Sequence, residues 1–342
     1  MLQTMGIALF SFSLSVFAVT PLMIRISKKL DILDKPDSIH KTHSQSIPYL
    51  GGMGIVITST VTLLILTMLL EDSDLRRILI IASPSIVLIS VLGLIDDLYK
   101  LSARIRLILQ FALSISLLTQ LRGTAYYPEF FGNAFIDSTL ALVWLVFWAN
   151  LLNMFDNHDG AAAGVISIVF LGLSILAWLD GSTAIMTISI TILGSTLGFL
   201  HWNWPPARIY LGDSGALLLS YTAGIFFLLI DFSNMSPLSS LFVPMICSGV
   251  LLLDFLLVFF SRLKRGVSPT IGDKTHSAHR LLKKGLSKSR INLILYSFTV
   301  IGNLFGIMIT LPQFSTLEEL LIALLFGIIG ALYLSRIGKL SY

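Results

Sequence analysis

A single cysteine, Cys247, stands in a chain of 342 residues, which excludes an intramolecular disulfide and leaves the redox compartment unmarked. Charge is also scarce. Only 12% of the residues are Asp, Glu, Lys or Arg, against about 25% in average soluble proteins, and this excludes an ordinary water-soluble domain. The sequence has no internal repeat and no low-complexity tract. Its longest polar stretch, Ser261 to Arg290, is about thirty residues, too short to bury a core of its own. The first apolar run lacks a basic leader and a small-x-small cleavage site, so it is expected to remain as a membrane span rather than be removed.

What fills the chain is apolar surface. Hydrophobic residues make up 55% of it and the mean hydropathy is +0.87. Runs of the length needed to cross a bilayer, about 17 to 25 residues, fall near 5–24, 50–70, 77–95, 104–121, 138–154, 161–179, 182–200, 213–230, 237–260, 291–311 and 316–335. The expected fold is all-α, a single polytopic bundle of about eleven transmembrane helices.

The remaining charge is unevenly placed. Of the 23 Lys and Arg residues, 20 lie in alternate loops and the C-terminal tail, while the other loops hold only Arg76, Arg77 and Arg122. Cytoplasmic loops are enriched in Lys and Arg, so the expected orientation is N-terminus out and C-terminus in. All six histidines then fall in or beside cytoplasmic loops, near 25–50, 96–106, 150–161, 201–215 and 261–290. The net charge of +4 comes from residues beside membrane ends, where the topology rule and anionic lipid already account for it. Nucleic acid is not an expected partner.

These same loops carry groups that a helix in lipid does not need. Asn150 to Gly160 reads Asn-Leu-Leu-Asn-Met-Phe-Asp-Asn-His-Asp-Gly, and a carboxylate facing lipid at the bilayer centre costs roughly 2.5 to 3.5 kcal/mol. A polar cap and turn is the bland alternative. The adjacent acids Asp96-Asp97 close one apolar run, and such a pair suits a divalent cation or a proton transfer as well as a wet helix end. Gly212-Asp213-Ser214-Gly215 stands directly before another run, where helix N–H groups favour anions, although an N-cap Asp is common. Asp254 lies inside the ninth run, either a functional acid or an internal partner for a neighbouring polar group. His276 and His279, three apart, share a face if helical. No thiolate and no HExxH helix accompanies them, so histidines and guanidinium groups gathered to hold phosphate fit better than zinc. Lys41 and His43 are basic loop residues suited to an anionic ligand, with a solvated loop that simply obeys the topology rule as the alternative.

Taken together, the Asp34-Lys35-Pro36 loop with Pro48 and Gly51-Gly52, the Asp96-Asp97 pair, the Asn150-x-x-Asn153-x-x-Asp156-x-x-Asp159-Gly160 run, Gly212-Asp213-x-Gly215 and the Ser268-Pro269 to His279 loop resemble the polyprenyl-phosphate N-acetylhexosamine-1-phosphate transferases. The resemblance spans nearly the whole chain with the motifs in family order. It implies transfer of a sugar 1-phosphate, N-acetylglucosamine 1-phosphate or a related N-acetylhexosamine, from a UDP-sugar to polyprenyl (undecaprenyl) phosphate, with release of UMP. It also implies a magnesium cofactor (manganese as an alternative), a place in the bacterial inner membrane with the site on its cytoplasmic face, and leaves a homodimer open.

By that resemblance Asp213 and Asn153 are metal ligands. Asp96, Asp97, Asp156, His276 and His279 form the catalytic set, and Lys41, Asn157, Asp159 and Arg280 contact substrate, Asp159 matching a uridine contact. Two positions depart from the pattern. Ala278 stands where related antigen-initiating enzymes typically have a histidine, and Lys100 where many relatives outside the peptidoglycan branch have Asp or Asn; both bear on the choice of sugar. A secondary transporter is the main alternative, but transporter sites lie near the bilayer midplane at interrupted helices, whereas here only Asp254 lies deep. A non-catalytic scaffold would not need the clustering.

Overall fold

Lipid offers the backbone no hydrogen-bond partner, so long apolar runs close their own bonds as helices. The computed structural model describes residues 2–34, 46–232, 235, 237–266, 275–311 and 316–338. Within them, in chain order, lie α1 (Leu2–Leu14), α2 (Thr20–Lys29), α3 (Gly51–Leu69), α4 (Ser73–Tyr99), α5 (Ala103–Leu121), α6 (Ala134–Phe155), α7 (Ala161–Asp180), α8 (Thr183–Asn203) and α9 (Gly212–Leu229). Then follow α10 (Pro237–Cys247), α11 (Gly249–Lys264), α12 (Ser277–Lys283), α13 (Lys288–Ile309) and α14 (Thr316–Gly338). A π turn, Ser15–Val19, joins α1 to α2 just before Pro21, whose missing N–H breaks the regular ladder. The only strands among the described residues form a two-residue ladder, Leu33–Asp34 antiparallel to Ile47–Pro48.

Nine helices among the described residues are long and apolar enough to cross a membrane, and one bent pair would make a tenth. The ninth apolar run differs from the straight span expected of it. It breaks at Ser248, where α10 and α11 diverge by 82°. Pro244 lies inside α10 and withholds one backbone donor, while the Ser248 hydroxyl competes for the Pro244 carbonyl at 2.7 Å. The Asn303 amide from α13 donates to the carbonyl of Cys247 at 3.1 Å, so the interruption is supplied with a partner inside the protein.

The centre of the bundle is α9. From Ser214 to Leu229 nearly every residue is buried, and α9 packs against both α4 and α6. Trp148 of α6 seats against Gly224, whose missing side chain makes the room, and the Ser220 hydroxyl donates to the Trp148 carbonyl. Leu152 lies beside Ser220. This antiparallel register brings Asp156, one turn beyond Leu152, level with the first turn of α9.

Because successive spans alternate in direction, the loops carrying the polar motifs meet at one end of the bundle. Gly51 and Gly52 donate to the carbonyls of Tyr210 and Leu211 at 3.1 and 2.8 Å, and Tyr210 donates to Pro48 at 2.7 Å. Gly160 donates to the Asn203 side chain at 2.9 Å. A single surface is thereby assembled from residues more than 150 positions apart.

Candidate active site

The site is built on the start of α9. Gly212 adopts φ +72°, and an added Cβ would lie 2.7 Å from Asp97 Oδ2 and 2.8 Å from the Tyr49 carbonyl. Only glycine takes up that backbone without strain. The chain therefore turns into α9 with its first N–H groups aimed at Asp97. Asp97 Oδ1 accepts from the N–H of Asp213 at 2.9 Å, and Oδ2 from that of Ser214 at 3.2 Å. At Gly93, one turn before Asp97, a Cβ would come within 2.5 Å of the Asp213 carbonyl, so glycine is what lets α4 and α9 approach backbone to backbone.

Asp96 turns the other way. It is 5% exposed, and its Oδ1 accepts from the N–H of Leu101 at 2.7 Å, closing the left-handed turn at Lys100 that ends α4. Its Oδ2 pairs with Arg106 Nη1 from the first turn of α5. The same guanidinium nitrogen lies 3.6 Å from Asp213 Oδ2. Arg106 is 25% exposed and Asp213 31%, so two of the three carboxylates, Asp96 and Asp213, share one neighbouring cation at the rim of the bundle. From the sequence Arg106 reads as charge suited to phosphate or as ordinary basic charge at the start of a span; its pairing across helices with Asp96 is not something spacing reveals.

The end of α6 faces this group. Asp156, just past the helix, has its carboxyl pushed up to about 7 by burial first, then by the charges of Asp97 and Asp159. Asn153 and Asp156 are half-buried and their side chains make no hydrogen bond or ion pair with a described residue, and the buried side-chain oxygen of Asn157 has no hydrogen-bond partner among the described residues. Tyr210 is pushed up by burial and by Asp159, Asp34 and Asp156, which marks the same surplus of negative charge. By contrast Asn150, which opens the polar run, is a structural amide. It exchanges hydrogen bonds with Gln110 of α5 at 2.7 and 3.3 Å, which satisfies both groups away from water.

Asp159 is held from α13. Its Oδ2 accepts from Lys288 Nζ at 2.9 Å and from the Ala207 N–H at 3.4 Å, while Asn292 donates to its carbonyl at 2.8 Å. His158 is buried, with Nε2 3.3 Å from the Lys288 carbonyl, and burial is the main cause that lowers its pKa. Lys288, 43% exposed, was legible only as one of nine basic residues in its loop.

The histidine segment forms a second group. His276 Nδ1 lies 2.8 Å from Asp254 Oδ2, and its ring stands 6.4 Å from that of His279. Arg280 departs from the expectation that it contacts substrate. It is 1% exposed, with Nε donating to the Thr275 carbonyl at 2.7 Å and Nη2 to the Ser261 hydroxyl at 3.0 Å, so its fork is engaged in fastening α12 to α11. Among the described residues no hydrogen bond or ion pair joins the histidine segment to the carboxylates. Lys41 and the Ser268-Pro269 motif lie outside the described residues.

Among the described residues no three His, Cys, Asp or Glu side chains converge on a metal site. The donor set still fits magnesium, which takes one or two carboxylates together with substrate phosphates and keeps several waters. Asp213 is partly exposed, Asn153 is unengaged, and the surrounding acids exceed the one neighbouring arginine.

Comparison with known proteins places this chain. Residues 77–233, which contain the carboxylate cluster, match the family model described as glycosyl transferase family 4. A Bacillus subtilis protein described as a probable undecaprenyl-phosphate N-acetylglucosaminyl 1-phosphate transferase is 31% identical over 303 residues, covering 86% of this chain and 81% of its own length. An undecaprenyl-phosphate alpha-N-acetylglucosaminyl 1-phosphate transferase of Thermotoga maritima is 29% identical, with 85% and 86% covered. A phospho-N-acetylmuramoyl-pentapeptide-transferase of Caldicellulosiruptor bescii is 33% identical over 230 residues, with 60% and 68% covered. The chain belongs to glycosyl transferase family 4, among the polyprenyl-phosphate N-acetylhexosamine-1-phosphate transferases.

Proposed function

We propose that this membrane protein transfers a sugar 1-phosphate from a UDP-sugar to polyprenyl phosphate, with N-acetylglucosamine 1-phosphate as the transferred group. An oxygen of the lipid phosphate attacks the β-phosphorus; the bond from that phosphorus to the bridging oxygen breaks and UMP leaves. The observation that carries the reading is the carboxylate cluster at the start of α9, an acidic site with a single neighbouring arginine, at the rim of a membrane bundle. Two anionic reactants meet there only if cations accompany them.

A phosphate monoester with a second pKa near 6 is mostly dianionic at neutral pH, so neutralising charge matters more than removing a proton. In this reading Asp213 and Asn153 hold magnesium, which supplies that neutralisation when bound with the diphosphate. Asp97 fixes the start of α9, Arg106 restrains Asp96 and Asp213, and Asp156 and Asn157 line the approach from α6. Asp159 is positioned by Lys288 to meet the uridine, and Arg280 serves to hold α12. The interrupted helix at Ser248 does not favour a transporter, because the freed carbonyl of Cys247 is taken by Asn303 and Asp254 is taken by His276.

The site end is assigned to the cytoplasm on the charge asymmetry of the loops. A cysteine replacing Lys288 should react with an impermeant thiol reagent in inverted vesicles and not in intact cells; reaction in intact cells alone would reverse the orientation. For the reaction itself, purified protein is incubated with magnesium, polyprenyl phosphate and radiolabelled UDP-sugars. Label passing into the organic phase with equal release of UMP is the expected result, and UDP-N-acetylglucosamine should be the best donor. No lipid-soluble label from any UDP-N-acetylhexosamine would overturn the reading.

A further inference from the structure

We infer that Asp254 is a positioning residue that fixes His276 for the transfer reaction, an inference that rests on the transferase reading above. Asp254 lies on α11, two turns past the break at Ser248, and is buried. Its two oxygens are directed at one target. Oδ2 meets His276 Nδ1 at 2.8 Å and Oδ1 accepts from the N–H of Ser277 at 2.7 Å. A carboxylate that holds Nδ1–H settles both the tautomer and the ring orientation of a histidine. The other ring nitrogen, Nε2, makes no hydrogen bond with a described residue. It is therefore the nitrogen left for a ligand, beside the ring of His279; when the ring carries a proton on both nitrogens, one held by the Asp254 carboxylate, Nε2–H donates to an anionic ligand.

Capping alone does not account for this arrangement. Ser102, Asn133 and Ser287 cap their own helices from within the same segment, whereas the start of α12 takes its acceptor from a neighbouring span, through a side chain that costs free energy to bury in a membrane. The extra feature obtained from Asp254 is control of the imidazole. The bend of 82° between α10 and α11 sets the direction from which that carboxylate arrives, and Arg280, bonded to Ser261 two turns further along α11, keeps α12 against it.

The test is Asp254→Asn in the full-length protein. The amide still offers an oxygen to the Ser277 N–H, but presents its NH2 group to Nδ1, so Nδ1 must accept, the ring keeps only its Nε2 proton, and the positive charge that the carboxylate supported beside the anionic ligand is lost. Turnover should fall by about 10- to 100-fold, by analogy with the loss on removing a carboxylate that orients a metal-ligating histidine, with KM for the UDP-sugar nearly unchanged. The double variant Asp254→Asn/His276→Ala should be no slower than His276→Ala alone. Nitrogen-15 spectra of histidine-labelled protein, with His276 assigned by its loss in His276→Ala, should show Nδ1–H in the wild type and its loss in Asp254→Asn.

If Asp254→Asn fails to fold, Asp254→Glu provides the comparison: it should retain the Nδ1–H tautomer while displacing the ring and lowering turnover. An unchanged spectrum with wild-type turnover, or losses that multiply in the double variant, would overturn the assignment. Should the wild type transfer none of the UDP-sugars, the functional reading fails separately, while the spectrum still decides whether Asp254 holds His276.

Discussion

The carboxylate of Asp97 accepts the backbone N–H groups of Asp213 and Ser214 at 2.9 and 3.2 Å, so the last turn of α4 caps the first turn of α9. The two acidic motifs are thus one unit, and a change at Asp97 is transmitted to Asp213. Hydrogen bonds to a charged group are worth about 1.5 to 3 kcal/mol, and an anion at a helix start adds about 0.3 to 1 kcal/mol.

Asp97→Asn keeps one acceptor and loses the charge, so it should destabilise the protein by about 1 to 2 kcal/mol and also weaken magnesium dependence through the displaced Asp213. Thermal melting of the detergent-solubilised variant and a magnesium titration of activity read the two effects. Full stability and a wild-type titration would show that the cap is dispensable.

Arg106 pairs with the buried Asp96 and lies 3.6 Å from Asp213. Breaking a fully buried pair costs about 3 to 5 kcal/mol; Arg106 keeps 25% of its surface exposed, and water screens part of that. Arg106→Gln should therefore destabilise by about 1 to 3 kcal/mol, and Arg106→Lys should recover part of the loss. If Arg106→Gln melts with the wild type, the pair seen with Asp96 contributes nothing measurable.

Asp156 gives a pH prediction with a fixed sign. Its folded pKa of about 7 lies above the ordinary 3.8 of the unfolded chain, so ionised Asp156 opposes folding. The penalty is absent below pH 3.8, grows between 3.8 and 7, and is complete above 7. Asp156→Asn should then raise the melting temperature at pH 8 in metal-free buffer, with the gain disappearing as the pH falls toward 4. A gain that is the same at both pH values would point to packing rather than charge. Activity should fall in the same variant, since the site is assembled at some expense of stability.

How much of this was legible in the sequence depends on whether the information is local. The apolar runs, the small residues at Gly212 and Gly93, and the acids at helix ends are local features, and the helices and the carboxylate cluster follow from them. Arg106 with Asp96, Lys288 with Asp159 and Asp254 with His276 are contacts 10, 129 and 22 positions apart, and no periodicity announces them. Arg280 misled for the same reason: a basic residue beside two histidines suggests phosphate, but its guanidinium is directed inward to Thr275 and Ser261. The break at Ser248 was hidden because Pro244 and Gly249 sit in a run whose hydropathy is continuous, and hydropathy reports burial in lipid, not the direction of the chain.

The metal is the prediction on which the proposed chemistry depends most. Asp213 is 31% exposed, with Arg106 3.6 Å away, and Asn153 has no partner among the described residues. Neither closes a cage, so magnesium should bind weakly to the protein alone and tightly once a diphosphate supplies oxygens. Three variants separate the roles. Asp213→Asn should abolish most turnover and shift the magnesium requirement upward while the protein still folds, because the helix start remains capped by Asp97. Asn153→Ala should shift the requirement less, since a neutral ligand contributes no charge. Lys288→Met should leave the magnesium titration unchanged and raise KM for the UDP-sugar, because Lys288 acts on Asp159 rather than on the carboxylate cluster. The measurement is activity against magnesium concentration at saturating lipid, with isothermal titration of metal in the presence and absence of UMP as the readout independent of turnover. If Asp213→Asn binds magnesium and turns over like the wild type, Asp213 is not the ligand, and the cation must be held from Asp156 and Asn157 on the α6 side of the site.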